Sequence, residues 1–141
     1  MTCSRRRLLL ALPALTAATS LAGEETSLPS KAFRFEDLKV RVAGGNSARS
    51  ILRGVTHGGC PIEVHETSLA PGAMPHPSHH HVHEEMFLIR EGTVEVTIAG
   101  RSSRLGAGSA AFVASDDEHS IRNVGETQAQ YFVIGLGSDR R

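Results

Sequence analysis

The sequence predicts an all-β domain, a sandwich or barrel built from many short strands. From residue 47 onward, no stretch repeats apolar residues with the period of a helix. Short apolar segments are instead separated by Gly, Pro and Asp at near-regular spacing, which is typical of turns between strands. Residues 93–98, Thr-Val-Glu-Val-Thr-Ile, alternate strictly between polar and apolar, as a strand with one buried face does.

The turn signals divide this part of the chain into eight expected strands. They cover residues 51–55, 62–69, 86–90, 93–98, 101–105, 109–113, 119–124 and 129–136. Residues 86–90 are apolar at both parities, which indicates a strand covered on both faces. Before these strands, residues 44–46 predict a loop, and residues 33–42 fit either a short strand or a helical turn.

The first 22 residues are expected to be a removable export signal. Arginines at 5–7 precede an apolar run over residues 8–18, and Ser-Leu-Ala at 20–22 fits a signal-peptidase site. The Ser-Arg-Arg opening resembles a twin-arginine signal, which predicts a periplasmic or secreted protein. The run is too short to favour a permanent membrane span. The alternative to a removable signal is an uncleaved N-terminal anchor.

The chain therefore divides into an export signal (1–22), a linker or N-terminal arm (23–46) and a β domain (47–138). Removing the signal takes away three arginines and no acid, so the formal net charge falls from zero to −3. That charge, with no helical DNA-reading segment, argues against a nucleic-acid partner. Cys60 is then the only cysteine, so no internal disulfide can form. We expect it to be a small buried apolar residue, with a ligand or nucleophile role as the alternative.

A cluster of histidines and glutamates carries the chemistry of this sequence. Four of the five residues 79–83 are histidine, and Glu84 and Glu85 follow at once. The cluster fits either an exposed tract that binds metal loosely or a structured metal site.

Backbone geometry separates these two interpretations. His79 and His81 are two residues apart, so an extended chain points both imidazoles to one face, where they can share one ion. A straight strand would place Glu85 about 20 Å from His79. Glu85 can join the site only if the chain bends between Val82 and Glu84 and brings the next strand beside the first.

His119 is the only histidine that follows the cluster along the chain. It comes after an acidic turn over residues 115–118, at the expected start of a strand. A lone histidine there is ordinarily a surface residue. His119 is a candidate because it could complete the site: a fourth ligand from far along the chain would fix a site that three ligands leave open and mobile.

These residues resemble the two motifs of the cupin superfamily. The first motif matches Pro71, Gly72, His79, His81, Glu85 and Gly92, with Gly72 one residue further from His79 than is usual. The second matches Gly108, His119 and Asn123. Ala114 and Asp116 stand where that motif usually has proline and glycine.

The resemblance implies a small double-stranded β-helix, a jelly-roll-like barrel with a metal site inside. The ligands implied are His79, His81, Glu85 and His119, around one divalent transition metal ion. Mn, Fe, Ni, Co, Cu and Zn all suit nitrogen and oxygen donors. Two coordination positions would stay open for water, substrate or dioxygen.

Two functions follow from such a site. The first is a metal-dependent enzyme of the dioxygenase, isomerase or lyase type, acting on a small oxygen-rich molecule, with Glu85 also serving as general base. The alternative is a non-catalytic periplasmic module that binds a small molecule or a metal. A homodimer is expected, because small cupins often dimerise and residues 131–134 are apolar at both parities.

The remaining candidates each have two interpretations. His65 faces the pocket or the solvent, and His76, between two prolines, is exposed or lies at the pocket mouth. His83 and Glu84 are solvated bend residues or partners of the ligands. Arg90 is an outer-face or subunit-contact residue. Apolar pocket lining or plain core is expected from Phe87, Ile89, Phe112 and Ile121.

Overall fold

The computed structural model describes residues 27–139, and the expected export signal at 1–22 lies outside the described residues. The described part of the chain contains one 3-10 turn and nine strands. The turn is Phe35–Asp37, and the strands are β1 (Val40–Ala43), β2 (Asn46–Val55), β3 (Pro61–Leu69), β4 (Glu84–Glu91), β5 (Thr93–Ile98), β6 (Arg101–Gly106), β7 (Ala110–Val113), β8 (His119–Asn123) and β9 (Ala129–Leu136). Over residues 27–139, there is no helix long and apolar enough to cross a membrane.

The strands form two antiparallel sheets that enclose one core. One sheet has the strand order β1-β2-β3-β9-β4-β7 and the other has the order β6-β5-β8. Their buried residues, such as Phe87, Val96 and Tyr131, belong to a single hydrophobic cluster. The predicted all-β, jelly-roll-like barrel is confirmed, and each of the eight expected strands is present.

The N-terminal segment adds a ninth strand to this barrel. Residues 33–42, which fitted either a strand or a helical turn, contain both. β1 pairs with β2 across the turn at Gly44 and is the edge of the larger sheet. Part of the segment predicted to be an arm therefore belongs to the sheet, because β2 extends back to Asn46 and offers it a partner.

Strand parity decides what faces the barrel interior. On β9, Tyr131 and Val133 are buried in the core, and Phe132 between them points outward. On β7, Val113 is fully buried, whereas Phe112 is 49% exposed. The expectation that Phe112 lines the pocket or joins the core is wrong, since successive side chains of a strand point to opposite faces.

The outer face of β3 holds a buried carboxylate, Glu66, which is only 2% exposed. Arg90 donates a hydrogen bond from Nη1 to Glu66 Oε1 at 2.8 Å, and Nη1 of Arg49 lies 3.6 Å from Oε2. The ring of Phe35 covers the guanidinium of Arg49 at 4.4 Å. Arg90 thus lies on the outer face, as one of its two interpretations held, and neutralises an acid that burial would otherwise destabilise.

Candidate functional site

The two most distant histidines of the expected site are direct neighbours across an antiparallel bridge. The N–H of His79 donates to the carbonyl of His119 at 3.1 Å, and the N–H of His119 donates to the carbonyl of His79 at 2.8 Å. Residues opposite each other in such a pair point to the same side of the sheet. Their rings accordingly lie 4.6 Å apart between centroids.

His81 joins this pair from the same extended segment, two residues after His79. Its ring centroid lies 5.2 Å from that of His79 and 4.8 Å from that of His119. One ligand atom from each of the three rings lies within 4.8 Å of the others. The period of two that suggested a shared face for His79 and His81 therefore agrees with the structure.

Backbone carbonyls fix the tautomers of two of these rings. Nδ1 of His81 lies 2.7 Å from the carbonyl oxygen of His83, and Nδ1 of His119 lies 2.9 Å from that of Asp117. A carbonyl only accepts, so each Nδ1 carries the hydrogen and each Nε2 keeps its lone pair. This is the usual arrangement of metal-binding histidines, because the carbonyl also fixes the ring orientation.

Glu85 completes the cluster from the other sheet. Its Oε1 lies 3.4 Å from Nε2 of His81, and its Oε2 lies 3.3 Å from Nε2 of His119. The chain bends at Val82 and His83, as expected, but the bend does not place β4 beside the histidine segment. It carries the chain from the edge of one sheet to the other, where β4 pairs with β7 and β9.

The donor atoms of this cluster fit a divalent metal ion. Nδ1 of His79, Nε2 of His81 and Nε2 of His119 are buried and have no hydrogen-bond partner. Unpaired buried polar atoms are costly, so three such nitrogens on neighbouring rings fit a site for a divalent cation. Burial, reinforced by the neighbouring imidazoles, lowers the pKa of His79, which keeps that ring neutral and able to donate a lone pair.

The turn before His119 is linked to the histidine segment although Asp116 departs from the second motif. Asp116 has φ +65°, the left-handed conformation that favours glycine and that Asp adopts more readily than most residues. Its N–H donates to the carbonyl of His81 at 2.9 Å. The replacement of glycine by Asp116 therefore preserves the turn and links it to the histidine segment.

A cavity of about 300 Å³ opens beside Glu85 and His119. Its apolar walls come from both sheets, and include Phe87 on β4 and Ile121 on β8. Phe87 and Ile121 are thus pocket lining and core at once, whereas Ile89 is core and does not line this cavity. The cavity is the space that a ligand of the metal site would occupy.

His65 lies in the wall of this cavity, which decides between its two interpretations. The same side chain also borders a second, larger cleft of about 690 Å³, which Glu85 lines as well. Burial is the main cause that lowers the pKa of His65, with the negative charges of Glu63 and Glu85 opposing it. His65 is therefore a pocket residue held in its neutral form near pH 7.

His83 contacts the ligand cluster instead of being a solvated bend residue. Its ring stacks on that of His81, with centroids 3.5 Å apart and planes 5° apart. Nδ1 of His83 lies 2.8 Å from Oδ1 of Asp139, and this hydrogen bond lowers the pKa of Asp139. Together the three side chains form a second group with metal-ligand spacing, although Asp139 is exposed. Glu84, by contrast, is exposed.

The other cysteine and histidine candidates lie further from the cluster centre. His76 is exposed and lines the cavity mouth, with its ring edge-on to His79 at 4.2 Å between centroids. His80 is exposed. Cys60 is only half-buried, in the turn before β3, so the buried position expected for it is wrong. Because Cys60 lines neither cavity, the ligand or nucleophile alternative gains no support.

Sequence reasoning gave no role to Arg41 or Asp139, and it placed Tyr131 only in the apolar segment 131–134, although all three residues shape the site. Arg41 lines the 300 Å³ cavity from β1. Tyr131 forms part of its wall, and burial raises the pKa of its hydroxyl. The alternation along residues 129–133 could have identified Tyr131 as inward-facing, but no pattern in the sequence indicates Arg41 or Asp139.

The comparisons with known proteins agree with this geometry. The family model described as "Cupin domain" matches residues 65–135. An RmlC-like cupin from Shewanella frigidimarina is similar in structure, with a TM-score of 0.63, 21% identity and coverage of 79% of this chain and 95% of that one. The polyketide cyclase RemF from Streptomyces resistomycificus has a TM-score of 0.63 and 16% identity, with coverage of 80% and 83%.

A predicted oxalate decarboxylase from Thermotoga maritima also shares the fold. Its TM-score is 0.63 at 19% identity, with coverage of 77% of this chain and 100% of that one. At these identities the likeness shows the fold and not the activity. No curated protein matches the chain at a significant level of sequence similarity.

Proposed function

The chain belongs to the cupin family, and from this premise we propose that it is a metal-dependent enzyme. Its proposed ligands are His79, His81, Glu85 and His119, around one divalent transition metal ion. The proposed substrate is a small molecule that offers oxygen atoms to that ion. The dioxygenase, isomerase and lyase types named from the sequence all remain within this proposal.

One observation carries it: three neighbouring imidazoles each bury an unpaired nitrogen, and one ligand atom from each ring lies within 4.8 Å of the others. Each is costly to bury alone, and neither a hydrogen-bond network nor apolar packing explains them. A divalent cation satisfies all of them at once. The shared fold of a cyclase and a predicted decarboxylase is consistent with an enzyme, although it does not name the reaction.

The residues around the cluster fit a catalytic role. When bound, the metal supplies Lewis acidity to a substrate oxygen. The carboxylate of Glu85 borders the cavity, so it lies where it could accept a proton from a bound substrate. A substrate that fills the cavity would displace water from its largely apolar walls, which would strengthen electrostatic interactions there.

Metal content tests the proposal directly. We expect His81→Ala and His119→Ala to lower the ratio of bound metal to protein at least tenfold, measured by mass spectrometry of the purified protein. His80→Ala is the matched control, because His80 belongs to the same histidine run but is exposed. Equal metal content in His81→Ala, His119→Ala and His80→Ala would refute the ligand assignment. A redox-inert ion with no turnover of oxygenated substrates would favour the non-catalytic binding module.

Export is proposed on the arginines at 5 and 6, which precede an apolar run and a small-residue cleavage site. A twin-arginine signal would export the folded protein, so the metal would be inserted in the cytoplasm. Replacing both arginines with lysine should keep the protein out of the periplasm. Normal delivery of that variant would remove the basis of the proposal.

A homodimer is proposed through the outer face of the larger sheet. Leu88 and Phe112 are 36% and 49% exposed there, on strands that are direct neighbours. Phe132 pairs with Leu88 on the same face. Phe112→Glu should therefore shift the mass in light scattering from dimer to monomer, whereas Ser103→Glu, on the smaller sheet, should not.

A further inference from the structure

Most of the surface that lines the 300 Å³ cavity is apolar, so the cavity offers a ligand mainly apolar contact. Leu69, Phe87, Ile121 and Val133 line it, and each is at most 5% exposed. Such side chains stabilise a ligand by removing apolar surface from water, at about 25 cal/mol per Å². They form no hydrogen bonds, so every hydroxyl buried against them would lose its water without replacement.

Several polar side chains in the lining are already committed to the protein. The amide of Asn46 donates to the carbonyl of Met74 at 3.3 Å and accepts from the N–H of Ala70 at 3.2 Å. The hydroxyl of Tyr131 is hydrogen-bonded with Thr67. Asn46, Thr67 and Tyr131 are therefore less available to a sugar-like polyol, for which each hydroxyl buried unpaired would cost about 1–3 kcal/mol.

The volume limits the size of the apolar body. A dry cavity of about 150 Å³ is large enough to bind benzene. The cavity here, at about 300 Å³, therefore accommodates one substituted ring or a compact fused pair. It leaves little room for a long or branched molecule.

One cation stands at the edge of the cavity. Arg41 is exposed on β1, and among residues 27–139 it is the only arginine or lysine that lines the cavity. The described residues give it neither a hydrogen bond nor an ion pair. Its planar guanidinium matches a carboxylate in two parallel hydrogen bonds. Arg53, which borders the other cleft, differs because its Nη2 lies 3.2 Å from Oε2 of Glu63.

We infer that this cavity binds a compact ring-bearing carboxylic acid, with the ring against Phe87, Ile121 and Val133 and the carboxylate at Arg41. The end of the molecule nearest Glu85 and His119 would carry an oxygen toward the metal. Only this last point rests on the proposed function. The apolar walls and Arg41 select the ring and the acid whether or not the ion is catalytic.

Calorimetric titration of the purified protein tests the inference with three probes: benzoate, gluconate and benzyl alcohol. We expect benzoate to bind at least tenfold more tightly than gluconate, because the two acids have the same charge but benzoate carries an apolar ring and gluconate a chain of hydroxyls. Arg41→Gln should weaken the binding of benzoate about tenfold and change the affinity for benzyl alcohol less than twofold. Arg41→Lys, which keeps the charge, should recover part of the loss, and Arg53→Gln should have no effect.

Three results would overturn the inference: no detectable benzoate binding, gluconate binding as tightly as benzoate, or a loss caused by Arg53→Gln instead of Arg41→Gln. Metal content is measured on the same samples. Discrimination for benzoate without bound metal would keep the inference and refute the proposed function. Bound metal with a preference for gluconate would refute the inference and leave the proposed function standing.

Discussion

Asn123, four positions after His119 in the second motif, is expected to contribute to the stability of the fold and not to metal binding. Its side chain is fully buried and makes three hydrogen bonds to the backbone. Nδ2 donates to the carbonyls of Leu69 at 2.9 Å and Thr127 at 2.8 Å, and Oδ1 accepts from the N–H of Gly125 at 2.9 Å. One side chain thus joins the end of β3 to the turn between β8 and β9.

Asn123→Ala removes all three bonds and leaves their partners without replacement. At about 1 kcal/mol net for each bond, the loss is about 3 kcal/mol, and unpaired buried groups raise it toward 4 kcal/mol. Against a typical total of about 5–15 kcal/mol, that is a large fraction of the free energy of unfolding. Asn46→Ala is the matched control, because its two backbone bonds are longer, at 3.2 and 3.3 Å, and only half-buried.

Urea unfolding followed by circular dichroism measures both variants. With a slope of about 1.5–2 kcal/mol per M, Asn123→Ala should lower the midpoint by about 2 M, and Asn46→Ala by less than half as much. A loss below about 1 kcal/mol for Asn123→Ala, or equal losses for the two variants, would refute the reasoning. It would mean that the three bonds do not hold the loops together.

Three further predictions follow from the same structure. Gly92→Ala should lower the free energy of unfolding in urea by more than about 3 kcal/mol, and Gly100→Ala by only about 1–2 kcal/mol. Both glycines have positive φ, but a Cβ at Gly92 would lie 2.7 Å from Cα of Ala129, whereas Gly100 faces open space. Equal losses of stability in the two variants would contradict this explanation. Because burial lowers the pKa of His65 below its usual 6.5, the unfolded chain binds more protons below that pH, so the free energy of unfolding of metal-stripped protein should fall as pH drops from 7 to 5. His65→Gln should reduce this slope, whose limit is about 1.4 kcal/mol per pH unit for one group, and an unchanged slope would exclude His65 as its source. Metal at a hundred times its dissociation constant should stabilise the wild type by about 2.7 kcal/mol in thermal unfolding, and a similar gain in His119→Ala would count against that ligand.

Much of the fold could be predicted because its signals are local. The alternation over residues 93–98 and the glycine turns at 92 and 100 identify β5 and its ends from neighbouring residues alone. β1 was missed as a definite strand because all four of its residues are exposed and its only partner is β2. An edge strand of this kind is fixed by pairing with a partner and not by its own pattern.

The candidate site was predictable to a similar extent. The period of two between His79 and His81 suggested their shared face, and the bend before Glu85 followed from distance. The role of His83 was not predictable, because it depends on Asp139, which lies 56 residues away in sequence. Asp116 shows the opposite case, in which a departure from the family motif preserved the conformation.

The sequence by itself determined eight of the nine strands in residues 27–139, the inward parity of β5 and the residue types able to bind a metal, because these depend on near neighbours. Only the tertiary structure decided that His119 pairs with His79, that Glu85 reaches them from the opposite sheet and that Arg41 borders the cavity. Those placements arise when two sheets close around one core, and this closure joins residues whose separation along the chain carries no information about their distance in space.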